Sequence, residues 1–127
     1  MNLDFSVLSG SFVIARLQPG APVPKTVMVS RDFVSITRTD DELSIVCPEH
    51  AAAGLAGVDG PWRAMKIHGP FAFDQTGVLA SFLDPLADAS IGIFAASTFD
   101  TDYVLVKSGN LERAVQVLQS AGHRFVG

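Results

Sequence analysis

The clearest pattern in the chain is a set of large apolar residues spaced three and four positions apart in its second half. Residues with this spacing lie on one face of an α-helix. The pattern predicts an amphipathic helix over residues 76–89. Pro85 is expected to kink or divide this helix, because proline lacks an N–H group and clashes with the preceding turn. The apolar positions that define the face are Leu79, Phe82, Leu83 and Leu86.

A second amphipathic pattern predicts a helix over residues 111–121. Asn110 is the expected N-cap, since its side chain can accept a hydrogen bond from the first turn, and Gly122 is the expected C-terminal stop. The first half of the chain has weaker helical signals. They predict a short element near residues 23–30, opened by two prolines, and another over residues 49–56.

Two hydrophobic-polar-hydrophobic segments suggest an internal repeat. Residues 35–46 align without a gap over residues 95–106 at an offset of sixty. Each segment has the pattern of a strand, a polar turn rich in Thr and Asp, and a second strand, which predicts two hairpins. Residues 12–17 also align over residues 62–67 at an offset of fifty. The alternative is coincidence between two ordinary hairpins, and the second alignment weakens it.

The order of these elements predicts an α+β fold. The second half has the order strand, helix, strand, strand, helix, strand, which is the βαββαβ order of a ferredoxin-like sandwich with an antiparallel sheet and helices on one face. The repeat predicts two units, residues 1–60 and 61–127. An extra strand over residues 4–8 precedes them, and the sequence does not assign its partner. Strands near 91–96 and 103–106 are apolar on both faces, so the other repeat or a second chain should cover the sheet, and a homodimer is predicted.

Composition narrows the possible partners. The 127 residues carry a net charge of −4, and the nine Lys and Arg residues are scattered rather than clustered as nucleic-acid binding requires. Cys47 is the single cysteine, which excludes an intrachain disulfide and favours a reducing compartment. No apolar run approaches the roughly 20 residues of a membrane span, and the N-terminus lacks signal-peptide features. We therefore expect a soluble cytoplasmic protein with no nucleic-acid partner, membrane partner, cofactor or metal.

Four segments, residues 37–48, 69–71, 76–81 and 97–107, resemble those of a known family. The most distinctive is STFDTDYVLVK at 97–107. The chain resembles the small bacterial ACT-domain proteins related to the CASTOR-type and aspartokinase-like ACT modules, over nearly its whole length. The resemblance implies two tandem ACT-like repeats and a regulatory role, since ACT domains are βαββαβ modules that commonly bind amino acids, often between two such modules.

The segment that leads into the first predicted helix, residues 73–78, is a candidate binding site. A helix start presents unpaired N–H groups and a positive dipole end, which can hold an anionic group such as an α-carboxylate. Gly77 would let the backbone approach a ligand closely. The alternative is that Asp74 or Thr76 merely caps the helix. The resemblance favours binding, because ACT ligands commonly lie near the corresponding loop.

The turn of the second hairpin is the other candidate. Carboxylates of Asp100 and Asp102 could accept hydrogen bonds from a ligand's ammonium group, and the alternative is an ordinary solvated turn. The resemblance and these two arguments together predict a ligand-binding set. It comprises Asp74, Gln75, Thr76, Gly77, Val78, Ser97, Thr98, Asp100, Thr101 and Asp102.

The predicted function is that of a non-catalytic regulatory module that binds a small metabolite, best taken as an amino acid. Two alternatives stay open. One is a ligand-independent dimerisation or protein-docking module, and the other is a small ferredoxin-like enzyme, for which only Asp74, Asp100 and Asp102 offer an acid or base. The three histidines lack the spacing of metal ligands, and Cys47 has the context of a small buried hydrophobe. No catalytic residue is predicted.

Overall fold

The computed structural model describes residues 1–72 and 74–127. The chain divides into an N-terminal unit of residues 10–62 and a C-terminal unit that combines residues 1–9 with 63–127. Within the described residues, every helix is too short or too polar to cross a membrane. The elements are β1 (Asp4–Val7), β2 (Phe12–Leu17), α1 (Lys25–Met28), β3 (Ser35–Arg38), β4 (Leu43–Pro48), β5 (Asp59–Ile67), α2 (Val78–Asp88), β6 (Phe94–Ser97), β7 (Asp102–Lys107), α3 (Leu111–Ser120) and β8 (Arg124–Phe125).

The N-terminal unit has the strand order β3–β4–β2–β5, with β2 and β4 antiparallel from Phe12↔Pro48 to Leu17↔Leu43. Its helices are shorter than predicted. Helix α1 has four residues. It begins only after Pro24, because helical geometry is disfavoured for Val23, the residue that precedes this proline. The predicted helix over 49–56 is a single 3-10 turn, Glu49–Ala51. One buried cluster of its core comprises Val13, Val27, Leu43, Ile45 and Cys47.

The C-terminal unit confirms the ferredoxin-like fold. Its elements β5, α2, β6, β7, α3 and β8 follow the βαββαβ order, and its strands lie in the order β6–β7–β5–β1–β8. Strand β1 is inserted between β5 and β8, antiparallel to the first through Phe5↔Ile67 and parallel to the second through Phe5↔Phe125. The extra N-terminal strand therefore belongs to this unit. The division into repeats 1–60 and 61–127 stays a prediction.

Helices α2 and α3 lie on the same face of that sheet, because their buried residues share one core with the strands. Phe5 and Phe82 meet edge to face, with ring centroids 5.4 Å apart and planes at 77°. Fully burying a side chain of this size contributes about 1.5–3 kcal/mol. The cluster also includes Met65, Ile67, Leu86, Val104, Val106, Ala114 and Leu118.

Pro85 does not divide α2, so that part of the prediction is wrong. A proline at position 85 leaves the carbonyl of Ser81 without its normal partner four residues later. His123 replaces the missing donor, since its Nε2 lies 2.8 Å from the Ser81 oxygen. The Nδ1 atom of the same ring accepts a hydrogen bond from the Leu3 N–H at 3.1 Å. His123 is thus a neutral imidazole with its proton on Nε2, and it ties the helix to the chain before β1.

The two predicted hairpins are present, but they correspond at an offset of 59 rather than sixty. Ser35 pairs with Val46 in the first hairpin and Phe94 with Leu105 in the second. The Thr39 N–H donates to the Glu42 carbonyl at 2.9 Å, and the Thr98 N–H donates to the Thr101 carbonyl at 2.8 Å. The difference of one residue matters, because neighbouring side chains of a strand face opposite sides of the sheet.

The ends of α3 confirm one prediction and correct another. Asn110 occupies the predicted N-cap position, but its side chain makes no capping hydrogen bond. It ends a 3-10 turn, Ser108–Asn110, that leads directly into Leu111. Gly122 does end the helix, with φ 97° in the left-handed region that favours glycine.

Candidate ligand site

A cavity of about 350 Å³ lies in the C-terminal unit between the start of α2 and the turn that joins β6 to β7. This volume falls within the usual range of small-molecule pockets. Its lining residues are Phe71, Ala72, Gln75, Gly77, Val78, Leu79, Ala80, Ser97, Thr98, Phe99, Asp100, Thr101 and Asp102.

The helix start forms one wall of the cavity. Gly77 has φ 79° and immediately precedes the first helical residue, Val78, and no side chain of the described residues caps this helix start. A Cβ atom added to Gly77 would meet nothing within 4 Å, so the space beside it is open. The first backbone N–H groups of a helix have no partner within the helix. Among the described residues, no acceptor pairs with the N–H groups of Val78, Leu79 and Ala80, and all three residues line the cavity.

The hairpin turn forms the opposite wall, and hydrogen bonds fix it internally. The Thr98 hydroxyl accepts from the Thr101 N–H at 3.3 Å and closes the turn. The buried Thr101 hydroxyl donates to the Ile67 carbonyl at the end of β5. The Ser97 hydroxyl donates to the Asp102 carboxylate, which holds this carboxylate in one orientation.

The segment that connects β5 to α2 supports the turn from outside. The Phe71 N–H donates to the Asp100 carbonyl at 3.0 Å. Gly69 packs so closely that a Cβ atom there would lie 2.6 Å from the same carbonyl oxygen. Only glycine therefore fits at position 69. These two contacts join the hairpin turn to the segment that follows β5.

The electrostatics of the cavity are bipolar. Asp100 and Asp102 are the charged side chains among the described lining residues. They face a helix N-terminus, which carries a partial positive charge of roughly half an elementary unit. A molecule with both an anionic and a cationic group matches this arrangement.

Comparison with known families places this site in an established fold. The family model described as "ACT domain" matches residues 57–120, which is just over half of the chain and includes the whole cavity lining. The chain belongs to the ACT domain family. A second family model, described as an N-terminal domain, matches residues 10–53 within the N-terminal unit. The family resemblance found in the sequence is thus confirmed.

Sequence relatives of this ACT domain protein include a named sensor. The Homo sapiens protein "Cytosolic arginine sensor for mTORC1 subunit 1" is 39% identical over 59 residues, which cover 46% of this chain and 18% of the sensor. The chain thus matches about a fifth of the sensor's length. The Homo sapiens protein CASTOR3P is 27% identical over 123 residues, which cover 84% of this chain and 76% of that protein.

Solved structures show the same fold over nearly the whole chain. Protein Atu0741 from Agobacterium tumefaciens has a TM-score of 0.91 and 44% identity, covering 99% of this chain and 93% of that one. The regulatory subunit of aspartate kinase from Thermus flavus has a TM-score of 0.60 and 12% identity, covering 95% of this chain and 97% of that subunit. The second likeness shows the fold alone.

The ACT cavity brings together eight of the ten residues predicted to bind a ligand. Asp74 and Thr76 are exposed and lie outside the lining, and neither caps α2, which begins at Val78 rather than at position 76. Phe73, which opened the predicted segment, lies outside the described residues. Whether the eight bind a ligand stays a prediction.

Sequence reasoning missed five lining residues, Phe71, Ala72, Leu79, Ala80 and Phe99. Phe99 had a detectable signal, because it is a large apolar residue within an otherwise polar turn, and its side chain is 78% exposed. The other four are small or apolar residues that a sequence pattern assigns equally well to the core.

Cys47, His50 and His68 are buried or paired within the protein. Cys47 is buried, and this burial raises the pKa of its thiol. His50 pairs with Asp32, and His68 hydrogen-bonds to Ser6. Within residues 1–72 and 74–127, His, Cys, Asp and Glu form no cluster of three or more that could hold a metal ion.

Proposed function

We propose that this chain is a regulatory module that binds an amino acid in the ACT cavity. The observation that carries the proposal is the pairing, across one cavity, of open helix N–H groups with two aspartates. An amino acid has the complementary arrangement, a carboxylate and an ammonium group on one carbon. Membership of the ACT domain family supports the proposal, as does the name of one sequence relative, an arginine sensor.

In the proposed complex, the α-carboxylate accepts hydrogen bonds from the N–H groups of Val78 and Leu79. Charge-assisted hydrogen bonds of this kind are about twice as strong as neutral ones. The ammonium group donates to Asp100 or Asp102. The ligand's side chain then extends along Phe71 and Phe99, so these two residues would select among amino acids.

We propose a regulatory rather than a catalytic role. The Asp102 carboxylate already accepts a hydrogen bond from Ser97, and the Asp100 backbone is fixed by Phe71. We propose that Asp100 and Asp102 hold a ligand in place rather than transfer a proton. A general acid or base also needs a reacting group positioned beside it, and the bipolar cavity explains binding without one.

A thermal-shift screen of the twenty common amino acids tests the proposal. A ligand present at about 100 times its dissociation constant adds about 2.7 kcal/mol to the free energy of unfolding. For 127 residues this corresponds to a rise in Tm of about 10 °C. We expect one or a few amino acids to produce such a rise. A screen in which none does so contradicts the proposal.

Gly77→Asp locates the site. The aspartate places a negative charge where the ligand's carboxylate should bind, so the thermal shift should disappear. Gly10→Asp is the matched control, because Gly10 has φ 78°, a Cβ atom there also meets nothing within 4 Å, and the residue does not line the cavity. If both variants retain the wild-type shift, the ligand binds elsewhere.

Asp100→Asn tests the ammonium contact, and Asp41→Asn is its control, since Asp41 holds the corresponding turn position at the offset of 59. The first substitution should lower affinity by about tenfold or more, because it removes a charged acceptor. The second should leave affinity unchanged. Equal effects of the two would remove Asp100 from the site.

A homodimer, a tandem ACT repeat and a cytoplasmic location remain proposals. The dimer was predicted because both faces of β7 are apolar and need to be covered. The single chain already covers them, since Val104, Leu105 and Val106 are all fully buried. Support for a dimer now comes from β6, an unpaired sheet edge among the described residues, which could pair with a second copy. Analytical ultracentrifugation at micromolar concentration decides this point. A monomer that still binds an amino acid would show that the site needs one chain only.

A further inference from the structure

A second groove lies in the C-terminal unit beside α3, at the inserted strand β1. It has a volume of about 460 Å³, and its lining includes Val7 of β1, Phe125 of β8 and Arg63 of β5.

The walls of this groove are mainly apolar. Leu111 and Val115 of α3 form one side, and Val7 and Phe125 form the other. Phe125 is 39% exposed, although its ring lies 5.6 Å from that of Phe5 at the edge of the core. The protein therefore exposes a continuous apolar surface here, which an apolar ligand would shield from water.

Arg63 adds a positive charge to this apolar groove. Its Nη2 atom donates to the Leu8 carbonyl at 3.2 Å, which fixes the position of the guanidinium group. Its Nε atom is shut off from solvent and has no hydrogen-bond partner among the described residues. Glu112 lines the same groove, yet no ion pair joins it to Arg63 in the described part of the chain. A ligand cannot reach the buried Nε, so a ligand's carboxylate would pair with the Nη groups of Arg63, which has no carboxylate partner among the described residues.

We propose that this groove binds a small molecule with an apolar body and a single carboxylate, held by Arg63. The volume falls within the usual range of about 300–1,000 Å³ for small-molecule sites. The apolar body lies against Val7, Val115 and Phe125, and the carboxylate pairs with the guanidinium. This site shares no residue with the cavity at the start of α2, so it stands independently of the amino-acid proposal.

Isothermal titration calorimetry with octanoate, octanol and octylamine, each below its micelle concentration, tests the proposal. The three probes share one apolar body and differ in the charge of the head group. Octanoate should bind wild-type protein with saturation and at least tenfold more tightly than octylamine. No saturable octanoate binding, or equal binding of octanoate and octylamine, would overturn the proposal.

Arg63→Met keeps an apolar stem and removes the charge. It should weaken octanoate at least tenfold and leave octanol unchanged. Arg16→Met is the matched control, since Arg16 also donates Nη2 to a backbone carbonyl, that of Asp41 at 3.1 Å, and does not line the groove. It should bind octanoate like the wild type. Equal octanoate affinity in Arg63→Met and the wild type contradicts the proposed role of Arg63.

Glu112→Gln provides a second test that does not depend on how well Arg63→Met folds, because Glu112 is exposed. Removing this negative charge should tighten octanoate binding several-fold, and an unchanged or weaker affinity counts against the proposal.

The groove could instead bind a second copy of the chain. Sedimentation that shows a dimer in the wild type and a monomer in Val115→Glu would assign it to self-association and overturn the small-molecule site.

Discussion

His123 should stabilise α2 by taking the place of a hydrogen bond that Pro85 removes. His123→Phe keeps a ring of similar size but leaves the Leu3 N–H and the Ser81 carbonyl without their partners. His123 is only 4% exposed, so water cannot readily replace either bond. Each unpaired buried group costs about 1–3 kcal/mol, and we expect a loss of about 2–4 kcal/mol. That is a large part of the usual 5–15 kcal/mol of stability.

Urea unfolding at pH 7.5, followed by circular dichroism, measures this loss. His50→Phe is the control, because His50 lies on the surface beside Asp32, and it should change stability by less than about 0.5 kcal/mol. Pro85→Ala restores the helical N–H that bonds to Ser81. In that background His123→Phe should therefore cost about 1 kcal/mol less than in the wild type. Equal costs in the two backgrounds would refute the compensation, and a His123→Phe variant as stable as the control would refute the whole argument.

Three further predictions follow from buried or paired groups. Cys47 should resist a thiol reagent at pH 8 until urea unfolds the protein, because the thiol is buried and its pKa is raised. Because the pKa of the Cys47 thiol is higher in the native than in the unfolded protein, the stability that the neutral thiol contributes is complete below the unfolded pKa. This contribution is lost as pH rises through the native pKa, and urea unfolding above pH 9 measures the loss. Phe82→Ala should lower the free energy of unfolding by about 3–5 kcal/mol, because Phe82 is fully buried in the core. In an NMR titration the pKa of Asp4 should lie below its ordinary value, owing first to the hydrogen bond from Arg124, and should rise in Arg124→Met.

Local sequence patterns predicted most of the C-terminal unit, because its helices and hairpin depend on short-range chemistry. The apolar spacing of Leu79, Phe82 and Leu86 gave α2 within two residues of its true start. Thr and Asp residues marked the hairpin turns correctly. The offset between the hairpins was wrong by one residue, since both turns have similar polar composition and the register is set by the strand pairing and by the hydrogen bonds of Thr39 and Thr98.

Long-range contacts could not be predicted from local pattern. The insertion of β1 depends on pairing with Phe125, 120 residues later in the chain. The replacement of the hydrogen bond that Pro85 removes comes from His123, which is 42 residues from Ser81 in the chain and reaches its carbonyl only in the folded protein. Asn110 lies at the predicted N-cap position, but its backbone there is helical and its side chain makes no capping hydrogen bond.

The candidate site was partly predictable for the same reason. Gly77 and the turn at Asp100 carry recognisable chemistry, so the sequence selected both walls of the cavity. Asp74 was predicted to bind a ligand because it precedes the helix start, but it lies outside the cavity lining. Phe71 reaches the cavity through its bond to the Asp100 carbonyl, a contact that no sequence spacing encodes.

An amide NMR titration with the amino acid that gives the largest thermal shift tests the central claim most directly. The account predicts saturable shifts at the backbone N–H groups of Val78, Leu79 and Ala80, together with those of Thr98 and Asp102. It also predicts that these shifts vanish in Gly77→Asp. Saturable shifts confined to other residues, or none at these five, would contradict it.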